Sequence, residues 1–149
     1  MASLQKYDDS ASIVSVFTTE LDSLANNAMA ISSGITPGGD LFCDMELAVK
    51  YTSSTPATAT SVAKVYFLVS VDGTNYPEGS TTVIPVVDLK VADFHSRNPS
   101  TSTVERLIIP RINMPPRTFK VLIQNTSGKT FGSSGNTLKF KPYKYNLNG

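Results

Sequence analysis

From Leu41 to Tyr51 an apolar side chain recurs at every second position: Leu41, Cys43, Met45, Leu47, Val49 and Tyr51 share one face, while Asp44, Glu46 and Lys50 share the other. A repeat of two is the repeat of extended backbone, whose successive side chains point to opposite faces. A helix would scatter the same six residues around its circumference, so this stretch is a strand with one dry face and one wet face.

The remaining apolar runs follow the same rule. Ala63, Val65, Phe67, Val69 and Val71 alternate with Lys64, Tyr66, Leu68 and Ser70, and Leu68 on the nominally outer face points to contact with another surface. Further strands are expected over Ile13 to Phe17, near Ala28 to Ser32, over Thr118 to Asn125 and over Thr137 to Tyr145, where Pro142 favours an edge or a bulge. Thr82 to Val91 holds one or two short strands broken at Pro85, and Phe94 to Ser102 reads as a polar loop. Val104 to Ile112 is apolar on both faces, as a central strand would be. Turn chemistry separates the runs at Thr36-Pro-Gly-Gly-Asp40, at Asp72-Gly73, at Met114-Pro-Pro-Arg117 and through the Gly/Ser-rich stretch from Ser127 to Asn136. Leu21 to Ala30 has helical leanings with Asp22 or Ser23 as N-cap, but Asn26–Asn27 reduces it to a turn.

The expected fold is therefore all-β: an antiparallel two-sheet sandwich, with a jelly roll of about eight strands as the favoured form. Periodicity alone does not separate it from an immunoglobulin-like sandwich. Residues 1–12 are polar and aperiodic and read as a flexible N-terminal arm; residues 13–149 form one sandwich domain.

Reactive side chains are scarce. His95 is the sole histidine and Cys43 the sole cysteine, and tryptophan is absent. A nucleophilic triad needs a base beside its nucleophile, and His95 sits in a polar stretch. Cys43 falls on the apolar face of its strand and reads as a small buried hydrophobe, unable to form an internal disulfide. No zinc set, and no cofactor, is expected. Asp44 and Glu46 share a face about 7 Å apart by strand rise, a separation open to an inverting hydrolase; paired acids on a wet face are the plainer reading. Asp72, Asn75 and Glu78 could offer oxygens to Ca²⁺, yet an Asx turn explains them without an ion. Gly128, Gly132 and Gly135 precede no helix and form no phosphate loop.

Charge is divided along the chain. Through Asn75 three basic residues stand against eight acids, and from Tyr76 onward ten basic residues stand against four. That division suits self-association or docking on an acidic protein surface, unless the fold interleaves the two halves and cancels the field. Nucleic acid is disfavoured because no Lys/Arg cluster is interleaved with aromatics. No secretory signal follows Met1, and no apolar stretch approaches the roughly 20 residues of a membrane span.

Three blocks in order carry a resemblance. They are Thr18-Thr-Glu-Leu-Asp-Ser-Leu-Ala-Asn26, Tyr66-Phe-Leu-Val-Ser-Val-Asp-Gly-Thr-Asn-Tyr76, and Met114-Pro-Pro-Arg-Thr-Phe-Lys-Val-Leu-Ile-Gln-Asn125 leading to Ser134-Gly-Asn-Thr-Leu-Lys-Phe-Lys-Pro-Tyr143. Together they resemble the jelly-roll cementing and decoration proteins of tailed bacteriophage capsids. The resemblance implies a non-enzymatic virion protein on the outer capsid surface, made in the host cytoplasm. It implies a homodimer that bridges copies of the major capsid protein, with no nucleic acid or membrane as partner. On that reading the basic half supplies the capsid contact through Arg106, Arg111, Arg117, Lys120, Lys139 and Lys141, with Leu68 as a further interface residue, and the arm through Ser12 becomes ordered on the particle. The alternative is a tail or baseplate β-sandwich that binds host carbohydrate through exposed tyrosines.

Overall fold

The computed structural model describes residues 5–52, 61–77, 79–86, 89–96 and 102–147. Among them are nine strands: β1 (Gln5–Asp8), β2 (Val14–Phe17), β3 (Met29–Ile31), β4 (Phe42–Val49), β5 (Ser61–Val69), β6 (Lys90–His95), β7 (Glu105–Asn113), β8 (Phe119–Asn125) and β9 (Thr137–Leu147). They form two antiparallel sheets. The first runs β1-β9-β4-β7, with β2 also paired to β9; the second runs β3-β8-β5-β6. The sheets pack face to face as a β-sandwich.

The core is what the alternation requires. Cys43, Met45, Leu47 and Val49 of β4, with Leu138 and Phe140 of β9, turn inward from the first sheet, and Ala63, Val65, Phe67, Phe119, Val121 and Ile123 meet them from the second. Phe67 lies against Phe119 at 4.7 Å and edge-on to Phe140 at 5.8 Å, so one aromatic stack joins the two layers.

Several expectations are corrected. Residues 5–8, read as part of a flexible arm, are strand β1, paired from Gln5↔Leu147 to Asp8↔Lys144. Alternation cannot reveal a strand of four residues whose partner is the far end of the chain. The stretch from Leu21, by contrast, is the turn it was expected to be: Ser23 takes φ 58° and Asn27 φ 64°, left-handed values that stop helix growth, while Leu21 plugs the core. Residues 82–86 form no strand, and the stretch read as a polar loop from Phe94 begins inside β6.

β7 is an edge strand of the first sheet, not a central one, and its Ile108 is 63% exposed. Its second apolar face looks outward, so doubled hydrophobicity there marks a surface and not a buried layer. Pro142 lies in β9, which has neighbours on both sides. The amide of Leu41 bonds the carbonyl of Tyr143 at 3.1 Å, so residue 143 directs its polar groups to the β4 side and Pro142 faces the opposite edge. On that edge β2 pairs as far as Phe140 and β1 resumes at Lys144. The proline therefore occupies the gap between two partner strands, where no donor is needed. Lys141 spans the same gap, its Nζ donating to the carbonyls of Asp9 and Ala11 at 2.6 and 2.7 Å.

Candidate functional site

The outer face of the first sheet gathers most of the chemistry-bearing side chains. In the β4–β9 ladder Asp44 stands opposite Lys141 and Glu46 opposite Lys139; in the β4–β7 ladder Glu46 stands opposite Ile108. An open groove of about 270 Å³ runs along this face, lined by Ile13, Asp44, Glu46, Ile108, Lys139 and Lys141. The acids of the first half of the chain thus lie between bases of the second, because β4 pairs with β7 and β9. The divided charge of the sequence is interleaved by the fold.

Each acid has structural work of its own. Glu46 accepts from Arg106 at 2.8 Å. Asp44 accepts the backbone N–H of Arg111 at 3.0 Å, at a bulge where the β4–β7 register slips between Cys43 and Met45 and Arg111 takes φ 57°. A non-glycine residue in that region is strained, and the carboxylate holds it there. The guanidinium of Arg111 then stands 5.3 Å from the centre of the Phe42 ring. The two acids, whose spacing left an inverting hydrolase open, are therefore flanked by cations and partly committed to supporting β7.

Beyond the groove an aromatic cluster covers the end of the sheet. Tyr7 packs against Tyr143 and Tyr145, and Phe42 packs against the same two tyrosines, with centroid separations between 5.0 and 5.8 Å. Tyr143 and Tyr145 share a face by their spacing of two, which the sequence does announce. Tyr7 joins them only because β1 pairs with β9, which it does not announce.

The proposed interface residues do not form one surface. Arg106, Arg111, Lys139 and Lys141 are on the outer face of the first sheet. Lys120 is on the second sheet, its Nζ 4.4 Å from the centre of the Tyr76 ring. Arg117 lies in the β7–β8 turn and donates to the carbonyl of Val71 at 3.1 Å. Leu68 is fully buried, in a small cluster with Met29, Tyr66 and Leu122 on the outside of the second sheet. The surface it was expected to meet is the chain's own β5–β6 connection. Gly79 comes so close that a Cβ there would lie 3.1 Å from both Leu68 Cδ1 and Pro85 Cγ. The exposed aliphatics lie elsewhere: Ile13 and Ile108 by the first sheet, Leu41 just before β4 (expected on the dry face, but beyond the reach of the second sheet's cover), and Val71, Val83, Ile84 and Val86 on the β5–β6 connection.

His95 ends β6. Its Nε2 is 3.8 Å from Asp93 Oδ1, the same oxygen that accepts from Ser61 Oγ at 2.5 Å. In a nucleophilic triad the imidazole lies between hydroxyl and carboxylate; here the carboxylate lies between them, so the serine is a donor to Asp93 and not an activated nucleophile. Burial pushes the Asp93 carboxyl upward, but the bonds from Ser61 and Lys90 and the nearby charges outweigh it and hold the group low. Asp72 builds the Asx turn expected of it: Oδ1 accepts from Ser70 Oγ and from the amides of Thr74 and Asn75, and Oδ2 from Asn75 Nδ2. Those bonds lower its carboxyl far below the usual range, the Asn75 amide most. Glu78 lies outside the described residues. Among the described residues no three His, Cys, Asp or Glu side chains gather as metal ligands, and no helix is long and apolar enough to cross a membrane.

Cys43 is buried against the core, and desolvation pushes its thiol to about 12; burial does the same to the Tyr51 hydroxyl, also to about 12. Both groups are neutral in the folded state and ionise more readily once unfolded, so the stability they contribute is complete below about pH 9 and declines as pH rises toward 12. Cys43 is accordingly expected to resist thiol reagents in the native protein at pH 8 and to react at the free-thiol rate in denaturant; rapid native labelling would show that β4 opens locally.

A comparison of the chain with protein-family models finds no match, and a comparison with curated proteins finds none either.

Proposed function

We propose that the chain is a non-enzymatic virion structural protein of a tailed phage, a decoration or cement protein that bridges major capsid protein subunits on the outer shell. Two lines support the reading. Strands β2 to β9 are divided between the layers in the orders β2-β9-β4-β7 and β3-β8-β5-β6, successive strands changing layer except at the β5–β6 hairpin, which is how two Greek keys wind into an eight-stranded jelly roll. That order supports a jelly roll over an immunoglobulin-like sandwich and agrees with the resemblance carried by the three sequence blocks.

The observation that carries the functional reading is the exposed aliphatic segment late in the β5–β6 connection, where Val83, Ile84 and Val86 stay open to solvent, Val86 at 68%. Grouped aliphatics left exposed by folding are what a docking loop offers. Beside Leu89 and Val91 an apolar groove of about 320 Å³ runs to Met114, Pro115 and Pro116. A rigid sandwich that lays such a loop across a seam between shell subunits adds contact that must break before the shell opens. At about 25 cal/mol per Å² of apolar area each contact is modest, and repetition over the shell multiplies it.

Immunogold labelling of tailed-phage particles that carry this gene tests the reading. Label on heads is the expected result, with Ile84→Asp lowering head occupancy at least tenfold while leaving the melting temperature unchanged. Unlabelled particles would overturn it. Label confined to tails would favour the second reading, a tail or baseplate module that binds host carbohydrate, for which the cluster of Tyr7, Tyr143, Tyr145 and Phe42 speaks. A glycan array probed with the isolated protein then decides that case.

A further inference from the structure

The outer face of the first sheet carries its charges in an order that fits one occupant. From the β2 edge to the β7 edge the surface reads Ile13, then Lys139 and Lys141 on β9, then Glu46 and Asp44 on β4, then Ile108 on β7. The ladder sets Lys139 level with Glu46 and Lys141 level with Asp44. The face therefore sets a basic column on β9 beside an acidic column on β4 at matched heights, with Arg106 and Arg111 of β7 beyond the acids and an exposed isoleucine toward each margin.

We infer that a second copy of this chain docks on this face, about a two-fold axis that runs along the strands in the seam between β9 and β4. Rotation about that axis keeps the height along the strand and exchanges the two sides. Lys139 then lies over the partner's Glu46, Lys141 over the partner's Asp44, and both pairs occur twice, as an isologous contact requires. A two-fold running across the strands would place lysine on lysine and acid on acid, so the charge order selects one operator. The groups retain bonding capacity for the purpose. Glu46 uses Oε1 for Arg106, Asp44 uses Oδ1 for the Arg111 amide, and Lys141 uses two of its three N–H bonds. Ile13 and Ile108, each 63% exposed, flank the charges and lose water on contact.

The size of the face sets the strength. Three long strands and the short β2, about 4.8 Å apart, present on the order of 500 Å² per protomer, the low end of specific interfaces. The dimer is a weak, reversible one, sensitive to salt because its centre is charged. This inference stands on register and charge alone and does not depend on the capsid reading.

Sedimentation equilibrium of the full chain tests it. The wild type is expected to dimerise reversibly with concentration. Lys139→Glu and Glu46→Lys, each alone, put like charges across the axis and weaken association at least tenfold. Mixed in equal amounts, the two variants pair with each other and recover the wild-type dimer, which a purely intrachain role for these residues would not produce. Ile108→Asp, at an exposed position where folding is not at stake, also abolishes the dimer. A wild type that stays monomeric at about 1 mM chain overturns the inference. So do single variants that dimerise as the wild type does, which would place the contact on another face, and a variant mixture that remains monomeric.

Discussion

Phe140→Ala lowers the stability of the fold by about 3–5 kcal/mol and its melting temperature by roughly 10 °C or more. Phe140 is fully buried in β9, opposite Met45 on one side and Val14 on the other. Its ring meets Phe67 of the opposing sheet at 5.8 Å, and Phe67 in turn holds Phe119. Truncation removes the transfer free energy of a phenyl group and leaves a void that neither sheet can close without shifting its register. Thermal unfolding followed by calorimetry checks it, and Phe140→Leu, which keeps most of the volume, should recover more than half of the loss. A melting temperature within two or three degrees of the wild type would mean that the layers meet elsewhere.

Asn125→Leu is expected to cost a similar amount, about 3–5 kcal/mol, although it adds apolar surface to a buried position. Asn125 saturates its amide: Nδ2 donates to the carbonyls of Leu24 and Lys129 at 2.8 and 2.7 Å, and Oδ1 accepts from the amide and the hydroxyl of Ser127 at 3.0 and 2.7 Å. Leucine fills the space and strands those partners. Ser127 Oγ can turn its single O–H to the Lys129 carbonyl, 2.9 Å away, which limits the damage to the other groups. Denaturant unfolding reads the total, and hydrogen exchange at the Ser127 amide reads the local part, since that proton should exchange far faster in the variant. A stability equal to the wild type's would mean that the turn from Thr18 to Ala28 does not depend on this side chain.

The two substitutions differ in how visible they are beforehand. Phe140 could be picked from the alternation of Leu138, Phe140 and Pro142 with Lys139 and Lys141. Asn125 could not: an asparagine at the end of a strand looks like turn punctuation, which its bonds to Ser127 and Lys129 are, but its bond to Leu24 and its complete burial exist only because β8 brings it beside that distant turn. Asn136 repeats the lesson, since it is fully buried and tied to Asp22 and Lys50 from distant segments. Tyr7 and Leu68 mark the same boundary from the other direction. One became part of an aromatic cluster, and the other lost its exposure to a loop that folds back over its sheet.

By itself the sequence determined where β2 to β5 and β7 to β9 lie and which face of β4 is dry from Cys43 to Val49, because alternation is a property of extended backbone and needs no partner to be read; β1, β6 and the outer face of β7 escaped it. It also determined the Asx turn at Asp72, whose bonds close within a few residues. Only the tertiary structure decided that acids of the first half stand level with lysines of the second, that Pro142 sits in a gap between strands, and that β7 is an edge. Those facts depend on register between segments far apart in the chain, and register is fixed when two whole sheets bury their dry faces together, not by the residues at any one site.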